Sequence, residues 1–112
     1  MRPIPRICDT AFAVIETRLL VCHYLVKGRV QGVGFRWYVL REASALGLRG
    51  WVRNTSDGHV EVLATGSETQ LHGLLARLKD GSRGSRVDRI EQEERPAAEA
   101  ENLQAFEIEG AW

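Results

Sequence analysis

Cysteine is scarce in this sequence, and so is any surplus of charge. Cys8 and Cys22 stand 14 residues apart, outside a CxxC spacing and with no histidine pattern around them, so neither a zinc site nor a disulfide framework is signalled. Free thiols of a reducing, cytoplasmic setting are the expectation. Fifteen Lys and Arg balance fifteen Asp and Glu, so no long-range field draws a polyanion, and no nucleic-acid partner is expected. No run approaches the roughly 18 uninterrupted apolar residues of a membrane span, so no membrane partner is expected either. The apolar run at residues 11–15 is too short for a secretory signal and no small-residue cleavage site follows it. Residues 1–19 read as a flexible extension, with packing of that run as an extra strand or turn the alternative. No repeat or low-complexity tract breaks what remains, residues 20–112, which is one domain's worth of chain.

What is present is a regular alternation of strand and helix patterns. Residues 20–27, LVCHYLVK, are dense in β-formers and short enough for a buried strand. Phe35, Val39, Ala43 and Leu46 then line one face of a helix, with Gly47 as its stop. Residues 48–54 read as a second strand, and Thr55-Ser56-Asp57-Gly58 as the turn of a hairpin into a third, residues 60–64. Leu71, Leu74, Leu75 and Leu78 keep helical spacing behind Ser67, an N-cap residue. Residues 87–94 carry a weaker strand pattern, and Phe106 and Ile108, alternating with Glu107 and Glu109, suggest a short closing strand. The order βαββαβ with a short extra C-terminal strand predicts the α+β class: a ferredoxin-like α/β sandwich with two helices on one face of an antiparallel sheet. In that topology strands one and two run parallel on either side of strand three, joined by a right-handed crossover. Their C-terminal ends share one edge of the sheet.

The most informative stretch is residues 28–36, GRVQGVGFR, which joins the first strand to the first helix. Its three glycines let the backbone approach a ligand closely. Arg36 falls in the first helical turn, where the macrodipole is already positive, a placement that makes sense if an anion shares the site. Residues 27–57 hold six basic residues against two acidic, a net of +4, whereas residues 88–109 hold eight acids against two arginines, a net of −6. A small anion is drawn to the loop and away from the tail. The loop Gly28, Arg29, Val30, Gln31, Gly32, Val33 and Gly34 therefore reads as a phosphate cradle, with Arg36 as a bidentate partner. Asn54 ends the second strand at the same edge. Taken alone, Arg36 also reads as a solvated surface arginine and Asn54 as a turn-opening residue. His23, His59 and His72 share no metal-ligand spacing and read as structural or exposed. Near the loop the sequence offers no cysteine, histidine or carboxylate nucleophile and no acidic cluster for Mg²⁺.

Together GRVQGVGFR and GWVRNTSDG closely resemble the two signature stretches of the acylphosphatase family, with the similarity running over residues 21–108. The resemblance implies a small free-standing enzyme that hydrolyses the carboxyl–phosphate bond of acyl phosphates without metal or other cofactor. By motif position it makes Arg36 the phosphate-binding arginine, Asn54 the water-positioning residue and residues 28–34 the cradle. A monomer is expected, with a small-molecule acyl phosphate as substrate and inorganic phosphate or sulfate as competing anions. The alternative is a non-catalytic anion-binding or protein-interaction module that keeps the fold.

Overall fold

A computed structural model describes residues 19–110; the expectations placed on residues 1–18 lie outside them. The described chain runs β1 (Leu20–Arg29), α1 (Phe35–Ala45), β2 (Arg49–Asn54), β3 (Val60–Gly66), α2 (Glu68–Asp80), β4 (Arg86–Arg95), a 3-10 turn (Ala97–Ala100) and β5 (Phe106–Ile108). The sheet order is β4-β1-β3-β2-β5. β3 is antiparallel to both β1 and β2, so those two run parallel with β3 between them, as the connectivity requires. The expected antiparallel sheet is completed with one difference. β5 pairs parallel to β2, Gly50 opposite Phe106 and Val52 opposite Ile108, which makes the sheet mixed.

Strand alternation sorts the side chains into two layers. Tyr24 and Val26 of β1, Val52 of β2, and Val60, Val62 and Ala64 of β3 face Phe35, Val39 and Ala43 of α1 and Leu71, Leu74 and Leu78 of α2 in one continuous core. Burial holds the Tyr24 phenol above its ordinary pKa, with Cys22 adding to the effect. On the opposite face a smaller cluster forms from Val21, Leu63 and Ala100, with Trp51 and Leu103 against it. The 3-10 turn after β4 thus covers part of the face that the helices leave open. Beside it Glu61 accepts from Arg53 Nε at 2.9 Å and meets His23 Nε2 at 2.6 Å. Desolvation works to raise the Glu61 carboxyl, but the hydrogen bonds from His23 and Arg53 overcome it and hold the group below the usual range.

Several strand ends differ from the sequence expectation by one or two residues, and β3 runs on to Gly66. β1 continues through Gly28 and Arg29, which pair with Val87 and Arg86 beyond a bulge at Lys27/Gly28. Gly28 has φ 141°, and a Cβ there would lie 2.1 Å from the carbonyl oxygen of Arg86, so β4 can approach only a glycine. β4 likewise extends to Arg95, whose guanidinium pairs with Glu93 and Glu99 at 3.0 Å. Periodicity reads side-chain pattern, whereas strand ends are set by the partner strand, and the partner is invisible in a local window.

Candidate active site

The loop between β1 and α1 is held from below by Val30, only 1% exposed, whose side chain belongs to the main core. Gly32 and Gly34 follow, both with φ 75° and with open space where a Cβ would stand. Their requirement is conformational: the left-handed region costs an ordinary L-residue roughly 1 kcal/mol or more. Gly34 is the N-cap of α1 and contributes no side-chain hydrogen bond, and the first turn holds no acidic residue. Such a helix start directs backbone N–H groups and the positive end of the dipole outward, a geometry suited to an anion. Arg36 adds a half-buried guanidinium in that turn. Of the predicted cradle, Gly28 and Arg29 are strand residues at its entrance, and Val30 to Gly34 form the bend itself. Arg29 is exposed.

Asn54 is the last residue of β2 and pairs with Val60 of β3. Its Oδ1 is buried and makes no hydrogen bond. The turn-opening role that an asparagine could have played belongs instead to Thr55, whose Oγ1 accepts from His59 N at 3.1 Å and whose carbonyl accepts from Gly58 N at 3.2 Å. An acceptor withdrawn from bulk water and left without a partner costs free energy, about 1–3 kcal/mol, unless a ligand or an ordered water meets it. Asn54 also keeps an amide donor beside that acceptor, so it can both give to and receive from one water molecule.

The sheet edge brings the loop and Asn54 together, and a specific contact shows how closely. Gln31 Nε2 donates to the carbonyls of Thr55 and His59, each at 2.8 Å. The bend is thereby tied to the residue that directly follows Asn54. The sequence offered one clue to this contact, a lone amide side chain among valines and glycines, and periodicity gives such a residue no assignment.

Most of the other basic, aromatic and histidine side chains on these strands and helices are engaged with partners of their own. The Arg53 guanidinium stacks 4.4 Å over the Trp51 ring and pairs with Glu61 and Glu109 on the opposite face of the sheet from Asn54. Tyr38 donates to the Arg77 carbonyl at 2.8 Å, and burial raises its phenol pKa. Trp37 is 56% exposed next to Arg36. His23 is engaged with Glu61, and His72 is exposed beside Glu68 on α2. Among the described residues no three His, Cys, Asp or Glu side chains cluster in a way that could hold a metal ion, and no helix is long and apolar enough to cross a membrane.

Comparison with known proteins identifies the family and the fold. The acylphosphatase family model matches residues 22–108. An acylphosphatase of Koribacter versatilis is 60% identical over 97 residues, covering 87% of this chain and 83% of that protein. Among solved structures, the crystal structure of acylphosphatase from Bacillus subtilis superposes with a TM-score of 0.77 at 42% identity, covering 81% of this chain and 99% of that one. An acylphosphatase from Coxiella burnetii superposes with a TM-score of 0.75 at 34% identity, covering 81% and 93% of the two chains. The matched span contains most of β1, the glycine bend, Arg36, Asn54 and β5, and the chain belongs to the acylphosphatase family.

Proposed function

We propose that this acylphosphatase cleaves the carboxyl–phosphate bond of small acyl phosphates by in-line attack of water, with Arg36 and the loop residues 28–34 holding the phosphate and Asn54 holding the water. The observation that carries the reading is the pairing of a glycine-built helix start with a buried, unpartnered Asn54 Oδ1 on one tied edge of the sheet.

Each group has a defined task. Backbone N–H groups at the start of α1 receive the equatorial phosphate oxygens. The Arg36 fork adds two parallel charge-assisted bonds, a geometry a lysine ammonium does not reproduce. Asn54 orients a water opposite the leaving group, so that a bimolecular step becomes an oriented one. The departing carboxylate is the conjugate base of an acid with pKa about 4, so it leaves without a general acid. As the water attacks phosphorus, its oxygen bonds there, the P–O bond to the acyl carboxylate breaks, and the water's proton passes to a phosphate oxygen of the substrate. Products are a free carboxylate and inorganic phosphate. The protein supplies position and charge neutralisation, the terms that dominate phosphoryl transfer. Inorganic phosphate and sulfate, which fill the same cradle, compete. Even charge, small size and free cysteine fit a monomer working in the cytoplasm, with residues 20–112 as the catalytic unit.

The test is hydrolysis of benzoyl phosphate with and without chelator. Retained turnover in chelator is expected, and a strict requirement for Mg²⁺ overturns the mechanism. Binding of phosphate without turnover marks the chain as an anion-binding module of the same fold.

A further inference from the structure

We infer that Gln31 is a positioning residue: its side-chain amide sets the spacing between the phosphate-holding bend and Asn54, and so aligns the attacking water with the phosphorus. The inference rests on the functional reading above and goes beyond it by naming what holds the two halves of the site in register.

The contacts are unusually well placed for this task. Asn54 and Val60 form the last pair of the β2–β3 ladder. Thr55 follows Asn54, and His59 precedes Val60. Gln31 bonds to the carbonyls of just these two flanking residues, both at 2.8 Å, so its amide closes the open end of the ladder on which Asn54 sits. Two carbonyl oxygens can be met only by the amide nitrogen, which fixes the side chain's orientation. Each carbonyl already accepts one backbone bond, Thr55 O from Gly58 N at 3.2 Å and His59 O from Thr55 N at 2.9 Å. Gln31 takes the second lone pair of each. Its own backbone lies in the bend directly before Gly32, while Val30 before it is anchored in the core. The glycines that give the bend its shape also leave it free to shift, and within the bend Gln31 is the residue whose side chain ties it to the hairpin.

Phosphate is held on one side of this tie and water on the other. In-line displacement tolerates little error, since a misplacement of about 1 Å can cost on the order of 100-fold in rate. Losing the tie therefore acts on turnover more than on phosphate binding, because the bend keeps all its backbone N–H groups and can follow the phosphate, while Asn54 stays with the hairpin.

The test is a double-mutant cycle between Gln31→Met, which keeps length and removes the donor, and Asn54→Ala. In the native background Gln31→Met is expected to lower kcat about 10- to 100-fold, while the inhibition constant of inorganic phosphate moves less than about 3-fold. In the Asn54→Ala background the same substitution is expected to cost less than about 3-fold, because the group it aligned is gone. Equal losses in both backgrounds overturn the inference, as does an unchanged kcat in the native one. A second readout separates this failure from failure of the acylphosphatase reading. Titrating the wild-type protein with inorganic phosphate should shift the Thr55 and His59 amide resonances, and Gln31→Met should abolish those shifts while the α1 amides still respond. Hairpin shifts that persist in Gln31→Met overturn the tie whether or not the protein hydrolyses an acyl phosphate, whereas absent turnover in the wild type falls on the functional reading alone.

Discussion

The two helices begin in opposite ways. At α2, Ser67 accepts from Gln70 N at 3.2 Å, the Gln70 side chain accepts from Ser67 N at 2.8 Å, and Glu68 puts a carboxylate in the first turn. That is a capping box with favourable charge, a helix end completed by its own side chains. At α1 the N-cap is a left-handed glycine with no side-chain oxygen to offer, the first turn holds no acid, and Arg36 adds positive charge. A start built only for stability would resemble α2. The difference separates a helix that closes itself from one arranged to receive an anion, and the same chain contains both, so the second is its own control.

The largest effects are expected where α1 receives its ligand. Arg36→Lys keeps the charge and removes the planar fork, so kcat/KM for benzoyl phosphate should fall by about 10²- to 10³-fold, the range typical of a lost oxyanion donor. The phosphate inhibition constant should rise with it. Unchanged phosphate competition in Arg36→Lys would break the comparison at its centre, since the arginine would then not be what makes α1 anion-receptive. Asn54→Ala should lower kcat by about 10²-fold with phosphate binding kept, because it removes orientation and leaves the cradle whole. Equal turnover of the two proteins would remove Asn54 from the reaction.

A smaller effect is expected from making α1 resemble α2. Gly34→Asp places a carboxylate at the α1 N-cap, where Asp tolerates the left-handed conformation better than most residues. The carboxylate should occupy the position of the ligand's charge and satisfy the same N–H groups. Turnover should drop about 10-fold and phosphate competition weaken, the size expected of a like charge introduced at roughly 1.4 kcal/mol. The melting temperature should stay close to that of the parent, because cap and strain oppose one another. Undiminished phosphate competition would show that the α1 terminus takes no part in binding.

How much of this was legible in the sequence follows from the range of the signal. The order of elements, the parallel placement of β1 and β2, and the meeting of the glycine bend with Asn54 all follow from periodicity and connection rules, because each signal is local and topology supplies the rest. The Ser67 cap was readable for the same reason, although the reciprocal bond from Ser67 N to the Gln70 side chain was not. β5's parallel pairing was not readable, since three residues carry no record of which edge they join. Nor was the tie made by Gln31, a contact between residues 24 and 28 positions apart whose partners are backbone carbonyls, which leave no trace in residue type. The glycines show the reverse case. Gly28 was read as part of the phosphate cradle, and it is also a strand residue pressed against β4, where the close approach of a backbone by itself demands the missing side chain.

The smallest expected effect lies at α2 and completes the contrast. Ser67→Ala removes the cap oxygen from a helix that holds Leu71, Leu74 and Leu78 in the core. The Gln70 N–H loses its partner, and the Gln70 side chain, which also donates to the Leu46 carbonyl at 2.8 Å, loses the reciprocal half of its restraint. Loss of such a cap typically costs about 1 kcal/mol. For a domain of this size that corresponds to a fall in melting temperature of roughly 4–8 °C. Turnover and phosphate competition at temperatures well below melting should not change, because Ser67 follows β3, whose Val60 end adjoins Asn54 and whose Gly66 end lies at the far edge of the sheet. Thermal unfolding followed by circular dichroism, paired with the benzoyl phosphate assay, measures both. A Ser67→Ala protein with an intact melting temperature would mean that the capping box adds nothing to α2, and the inference drawn from its absence at α1 would lose its reference. A stability loss with full activity, set beside the activity loss with near-native stability expected of Gly34→Asp, would assign the two helix ends to separate purposes by direct measurement.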